Sequence, residues 1–179
     1  MSVNRGKQFE GVVKDCFLKV NGVSLDRIHD QTTHYKGSTN ICDFIVYKYP
    51  FEYYIECKAV HGNTLSIHSN DLKHRYGLIT NKQYEGLLEK SSVKGVIPGI
   101  MCWWIDKNTT KFIPIQVIRN FYEVGIKSIR WDESDPRVIL LTGRKKTVFW
   151  DYNMKMFFNE VEARSIHEAE LKRNSRFRH

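Results

Sequence analysis

Asp43, Glu56 and Lys58 are the residues whose types and spacing most suggest chemistry. They lie in NICDFIVYKYPFEYYIECKAV (residues 40–60), two runs of β-forming residues around Tyr49-Pro50. Side chains alternate faces along a strand. Phe44 and Val46 therefore point one way and Asp43, Ile45 and Tyr47 the other. In the second run Ile55, Cys57 and Ala59 share one face, and Tyr54, Glu56 and Lys58 the opposite one. If the runs form a hairpin, an even-length loop puts Asp43, Glu56 and Lys58 together. A two-residue loop sets Asp43 opposite Glu56. A four-residue loop with Pro50 second in a type I turn sets Asp43 opposite Lys58, and it is the expected one because proline fits poorly in the primed turns of short hairpins. A three-residue loop or a bulge would separate the charges.

Two carboxylates a few ångströms apart repel, more strongly as water is removed. A divalent cation resolves the conflict. Hard oxygen ligands suit Mg²⁺ or Mn²⁺, with waters and a substrate phosphate completing the shell. Such a site activates water for in-line displacement at phosphorus, and Lys58 is placed to orient that water or stabilise the developing charge. The competing explanation is plain: Glu and Lys often decorate the solvent face of a strand. The elements around the triplet decide between the two.

The chain has 179 residues, 41% hydrophobic and 13% aromatic, which suits one domain over residues 1–179 with a single core. A core over about 4–135 is followed by a hairpin and a basic helix over about 136–179. Residues 4–20 form the clearest helix, with Phe9, Val12, Val13, Cys16, Phe17 and Val20 at three- and four-residue steps and Asn21-Gly22 as the stop. Glu10 lies at the edge of that stripe. A short strand over 24–29, a polar loop over 30–40 and a mostly loop segment over 61–76 are expected. Thr80 and Gln83 form a capping box opening a helix that carries Tyr84, Leu87 and Leu88. GVIPGIMCWWID reads as a buried strand, DKNT as a turn, and KFIPIQVI as the neighbouring strand. GIKSIRWDESDP reads as loop with a short strand. RVILLTGRKKTVFWDY reads as a hairpin turning at Gly143-Arg144, and residues 153–173 as a helix. This order implies an α/β (α+β) fold with a mixed central sheet flanked by helices.

Asp43, twelve residues, then Glu56-Cys57-Lys58, preceded by a helix bearing a carboxylate, resembles the PD-(D/E)XK nuclease superfamily. More narrowly, NRGKQFE (4–10), RIH (27–29), Ser38-Thr39 ahead of Asp43, YIECKAVHGNTLSIH (54–68) and GIKSIRWDE (125–133) are similar to motifs of the RecU family of Holliday junction resolvases, over roughly residues 4–135. Gln83 matches a glutamine on that family's next helix as well as it serves the capping box. The resemblance implies a restriction-endonuclease-like core and metal ligation by Asp43, Glu56 and the carbonyl of Cys57. It implies that Lys58 is the catalytic lysine and that Glu10 reaches the metal directly or through water. It further implies a homodimer that nicks opposing strands of a four-way junction, and a projecting stalk supplied by residues 30–40.

The charge supports a polyanionic partner: 28 Lys and Arg against 20 Asp and Glu give a net +8. Arg5 and Lys7 open the first helix, where free N–H groups favour phosphate. Lys36, Thr39, Lys73, His74 and Arg75 flank the site in loops, and the tail adds Lys172, Arg173, Arg176 and Arg178. Tyr35 or Tyr76 could stack on an unpaired base, although a place in the core or its rim suits either as well. His61, Asn63 and His68 have the wrong spacing for an H-N-H nuclease, and no zinc spacing, P-loop or dinucleotide fingerprint is present, so no nucleotide cofactor is expected. Four unpaired-looking cysteines, no signal sequence and no membrane-length apolar run point to the cytoplasm, and the resemblance leaves a bacterial or a phage-infected cell as its setting. The expected activity is that of a Mg²⁺-dependent crossover junction endonuclease acting on branched DNA. Its rivals are a sequence-specific restriction-type endonuclease and a non-catalytic branched-DNA-binding protein.

Overall fold

The computed structural model describes residues 4–28, 40–67 and 78–176. Helix α1 spans Arg5–Leu18, with Asn4 as its cap: the Asn4 side-chain oxygen accepts from the backbone N–H of Lys7 at 3.1 Å. Phe9, Val13, Cys16 and Phe17 are its buried face, at the spacing the sequence predicts. Then come β1 (Val23–Arg27), β2 (Phe44–Lys48), β3 (Phe51–Val60), β4 (Thr64–Ile67) and β5 (Leu78–Ile79). Helix α2 (Asn81–Lys90) opens on the predicted capping box. It is followed by β6 (Val96–Trp104), a short 3-10 turn (Ile105–Lys107), β7 (Thr109–Pro114), α3 (Ile115–Glu123) and β8 (Ser128–Arg130). The chain closes with β9 (Ile139–Leu140), β10 (Gly143–Lys145), β11 (Trp150–Tyr152) and α4 (Met154–Arg176).

The central sheet has six strands in the order β1-β2-β3-β6-β7-β9. Its pairs are antiparallel except β3 with β6, which run parallel, so the sheet is mixed, as expected. A three-stranded sheet β5-β4-β8 and a two-stranded hairpin β10-β11 complete the described strands. One face of the central sheet presents Phe44, Val46, Tyr53, Ile55, Cys57, Met101 and Trp103 to α1, α4 and the hairpin. Ring contacts among Phe17, Tyr53, Phe112, Phe157 and Phe158, with centroids 5.1–5.9 Å apart, tie α1 and α4 to it. The other face presents Ile100, Cys102 and Trp104 to α2, α3 and the smaller sheet, through Leu87, Val117, Ile118, Leu65 and Ile129. The C-terminal hairpin and helix thus share one core with α1.

Several elements differ from the sequence expectation. The β2–β3 hairpin turns on two residues rather than four: Lys48 pairs with Phe51, and the Tyr49-Pro50 bond is cis. A cis proline is how a two-residue turn accommodates this residue. KFIPIQVI is strand only to Pro114. Ile115, Val117 and Ile118 are buried on a helix, and Pro114, unable to donate to a ladder, stands at its entrance. Their β-branched side chains made the segment read as strand. Residues 64–67 of the expected loop form β4, which finds partners in β5 and β8. Gly143 and Arg144 lie in β10, and the turn falls at residues 146–149. The expected loop and stalk of residues 30–40 lie outside the described residues, except for Asn40.

Candidate active site

The register that pairs Phe44 with Ile55 carries Asp43 to the position opposite Glu56, the outcome of a two-residue loop. At that point β2 has ended, and the backbone of Asp43 is held by its neighbours on both sides. Its N–H donates to the Ile55 carbonyl at 3.0 Å, and its carbonyl accepts from the Ile28 N–H at 2.9 Å. The Asp43 carboxylate turns onto β3, where Oδ2 accepts the backbone N–H of Cys57 at 2.7 Å. In an extended strand the N–H and C=O of one residue project to the same edge. The Cys57 carbonyl therefore also faces the edge that β2 leaves uncovered. The Cys57 thiol sits on the opposite, apolar side with Phe9 and Met101, and burial pushes its pKa well up, so its carbonyl is the group available as a ligand.

Glu56 and Lys58 share the α2 face, as the alternation requires, with Lys58 Nζ 2.7 Å from Glu56 Oε1. Glu56 is only 4% exposed and is the one charged side chain that is fully buried among the described residues. Helix α2 supplies a further partner: Gln83 Nε2 donates to Glu56 Oε1 at 2.5 Å. The other end of the same amide accepts from the Thr80 N–H at 3.2 Å, so the capping box fixes the orientation of the group that holds Glu56. Gly86 lets α2 approach this closely: a Cβ there would stand 2.3 Å from a methyl of Ile41, two residues before Asp43. Burial raises the Glu56 carboxyl from its ordinary value to about 8; Lys58 opposes the shift and Asp43 adds to it.

Glu10 comes from the other layer. Its carboxylate accepts from Arg27 Nη2 at 2.7 Å, at the end of β1 paired with Phe44. Asp43 binds the Cys57 N–H, and Glu56 and Lys58 flank that residue on β3, so three of the four predicted residues meet at residue 57, while Glu10 is held by Arg27, whose strand pairs with Phe44 beside Asp43. The gathering is not a preassembled cage. Among the described residues no group of three or more His, Cys, Asp and Glu side chains is placed to hold a metal ion. The donors that remain are the Asp43 and Glu56 carboxylates and the Cys57 carbonyl, which fits Mg²⁺ or Mn²⁺, ions held by one or two carboxylates with waters and substrate phosphate.

Of the expected DNA contacts, Arg5 and Lys7 lie in the first turn of α1, which contains no acid; Arg5 approaches Gln8 at 3.4 Å and Lys7 is exposed. Lys36, Thr39, Lys73 and Arg75 lie outside the described residues, as do Tyr35, His74 and Tyr76. Two contributors were not assigned from sequence. Arg27 entered only within the RIH motif, and its pairing with Glu10, seventeen residues away on another element, gave no signal. Gly86 gave none either, since its need for a bare Cα arises only where α2 crosses Ile41.

No family model and no curated protein matches the chain. Among solved structures, it is similar to Hjc, a Holliday junction resolvase of Archaeoglobus fulgidus. The two are 19% identical, with 62% of this chain and 78% of that one covered at a TM-score of 0.43. A likeness at this level carries no weight for function. No helix among the described residues is long and apolar enough to cross a membrane.

Proposed function

We propose that the chain is a Mg²⁺- or Mn²⁺-dependent, structure-selective DNA endonuclease that acts as a homodimer and resolves four-way junctions by paired nicks. The observation that supports it most is the meeting of Asp43, Glu56 and Lys58 at residue 57, with Gln83 of α2 donating to the Glu56 carboxylate. In this reading Asp43, Glu56 and the Cys57 carbonyl hold the cation. When bound it supplies Lewis-acid activation of water and charge neutralisation at phosphorus. Gln83 and Lys58 hold the Glu56 carboxylate in one rotamer. Lys58, with 16% of its side chain exposed, and the half-buried Asp43 form the open side from which a phosphate approaches. The Lys58 ammonium orients the attacking water or stabilises the charge that develops on the phosphoryl oxygens. Glu10 is tied to Arg27 at the end of β1, which pairs with Phe44, and would help hold the hydration shell of a bound cation. Selectivity for the four-way junction rests on the motif similarity to RecU.

The burial of Glu56 favours one other reading, a branched-DNA-binding protein without cleavage. Incubation with a synthetic four-way junction, linear duplex and single strand, in Mg²⁺, Mn²⁺ or EDTA, separates the possibilities. The expected result is symmetric nicks on the junction with either cation and none in EDTA. Binding without nicks supports the second reading, and cutting of linear duplex at a defined sequence would mark a restriction-type enzyme.

A further inference from the structure

A second feature of the molecule lies beside α1, on the face of the sheet that carries Trp103. The β10–β11 hairpin exposes Arg144, Lys145 and Lys146, with Val148 40% exposed at its tip. Residues 137–150 contain no acid. The hairpin is anchored rather than loose. Phe149 packs on Trp103 with centroids 5.0 Å apart, Trp150 Nε1 donates to Asn108 at 3.0 Å, and the Tyr152 hydroxyl meets Thr110 at 2.7 Å. Between the hairpin and α1 lies a groove of about 580 Å³, lined on the helix side by Arg5, Gln8 and Lys19. Two acids, Asp15 and Asp151, also line it. Asp151 is neutralised by an ion pair with Lys19, which holds its carboxyl below the usual range, and by Lys146 at 3.9 Å. On the outer face of α1, Lys7 and Lys14 flank Gly11, whose missing Cβ would meet nothing within 4 Å. Glu10 projects from the other flank of the same helix, toward Arg27.

We infer that the β10–β11 hairpin and the outer face of α1 form a second DNA contact, which holds the phosphates of a duplex arm alongside α1 while the scissile phosphate sits at Asp43 and Glu56. The inference rests on the nuclease reading above and adds the β10–β11 hairpin, which lies outside the motif region. Cations on a rigid hairpin give electrostatic affinity at low ordering cost, and α1 links this surface to the catalytic edge.

The test is binding of a four-way junction and of linear duplex over a salt series in EDTA, with wild type, Arg144→Glu, Lys145→Glu, the double reversal, and the double neutral variant Arg144→Gln/Lys145→Gln. Lys94→Glu, an exposed cation beside the Tyr49-Pro50 turn, is the matched charge control. Each hairpin reversal should make the slope of log affinity against log salt shallower by about 0.9, the effect of one lost phosphate contact. The double reversal should lose roughly tenfold or more in affinity, the glutamine pair should fall between it and wild type, and thermal midpoints should not change. Wild-type slopes in the hairpin variants, or an equal loss in Lys94→Glu, would overturn the inference. If wild type also cuts the junction, that result leaves the nuclease reading intact, whereas a wild type that binds no DNA overturns both.

Discussion

The two faces of the central sheet are built from the same strands and are filled in opposite ways. On the α1 and α4 face, alternate residues of β2, β3 and β6 meet Phe9, Phe17, Phe157 and Phe158 in an aromatic core. On the α2 and α3 face, the apolar packing of Ile100, Trp104, Leu87 and Ile118 is interrupted by Glu56, Lys58 and Gln83. Apolar residues of similar volume would fold at least as well there, because the desolvation of a buried ion pair offsets its attraction. The first face is explained by stability alone. The second keeps a carboxylate at a cost, with its partners arranged to orient it, as a binding or catalytic site requires.

Substitutions should separate the two faces. The largest effect is expected at the charged one: Asp43→Asn should lower junction cleavage roughly a thousandfold or more while junction binding persists, measured by single-turnover nicking and gel shift. Near-wild-type nicking would remove Asp43 from the site. On the aromatic face, Phe157→Ala should cost about 3–5 kcal/mol of unfolding free energy, with cleavage intact at temperatures where the variant stays folded. A variant that is stable but inactive would blur the division between the faces. Gln83→Ala is next. It should reduce cleavage roughly 10–100-fold, the range for groups that orient a metal ligand, with a loss of about 1 kcal/mol from the broken capping box. If Thr80→Ala, which removes the cap's hydroxyl partner, gave the same loss in cleavage, the glutamine would be acting through the helix rather than through Glu56.

The smallest effect is on the pH dependence of stability. The folded Glu56 carboxyl titrates at about 8 instead of near 4.5, so the native state favours its protonated form. Any stability associated with that proton is present below pH 4.5 and is lost as pH rises through about 8. A cation that competes with the proton should reverse the trend, stabilising the protein more at the upper end of that window. Melting temperatures with and without Mn²⁺ for wild type and Glu56→Gln measure this, and the variant should show neither slope.

Much of this was legible in the sequence, for physical reasons. Helix α1 declares itself through apolar residues at three- and four-residue steps and a cap at Asn4, and α2 through its capping box. The shared face of Glu56 and Lys58 follows from strand alternation alone. The four-residue loop was expected because proline fits poorly in primed turns, and the hairpin turns on two residues instead; both loops are even, so the face assignment of Glu56 and Lys58 was insensitive to the difference. Alternation did not foretell that the Asp43 carboxylate would bind the Cys57 N–H, since that bond forms where the β2 ladder stops. Helix α3 was hidden by Ile and Val residues, whose burial against Trp104 and Leu87 outweighs their strand preference. Gln83 was visible as a cap and as a motif match, but its bond to Glu56 depends on the close crossing that Gly86 permits.

Calorimetric titration of Mn²⁺ into the wild type and Glu56→Gln, both in the absence of DNA, tests most directly whether the buried carboxylate is kept for a cation. The account predicts saturable binding to the wild type that strengthens between pH 6 and 8, and loss of that binding in the folded variant. Equal affinity in the two proteins, or heats at the level of dilution in the wild type, would contradict it.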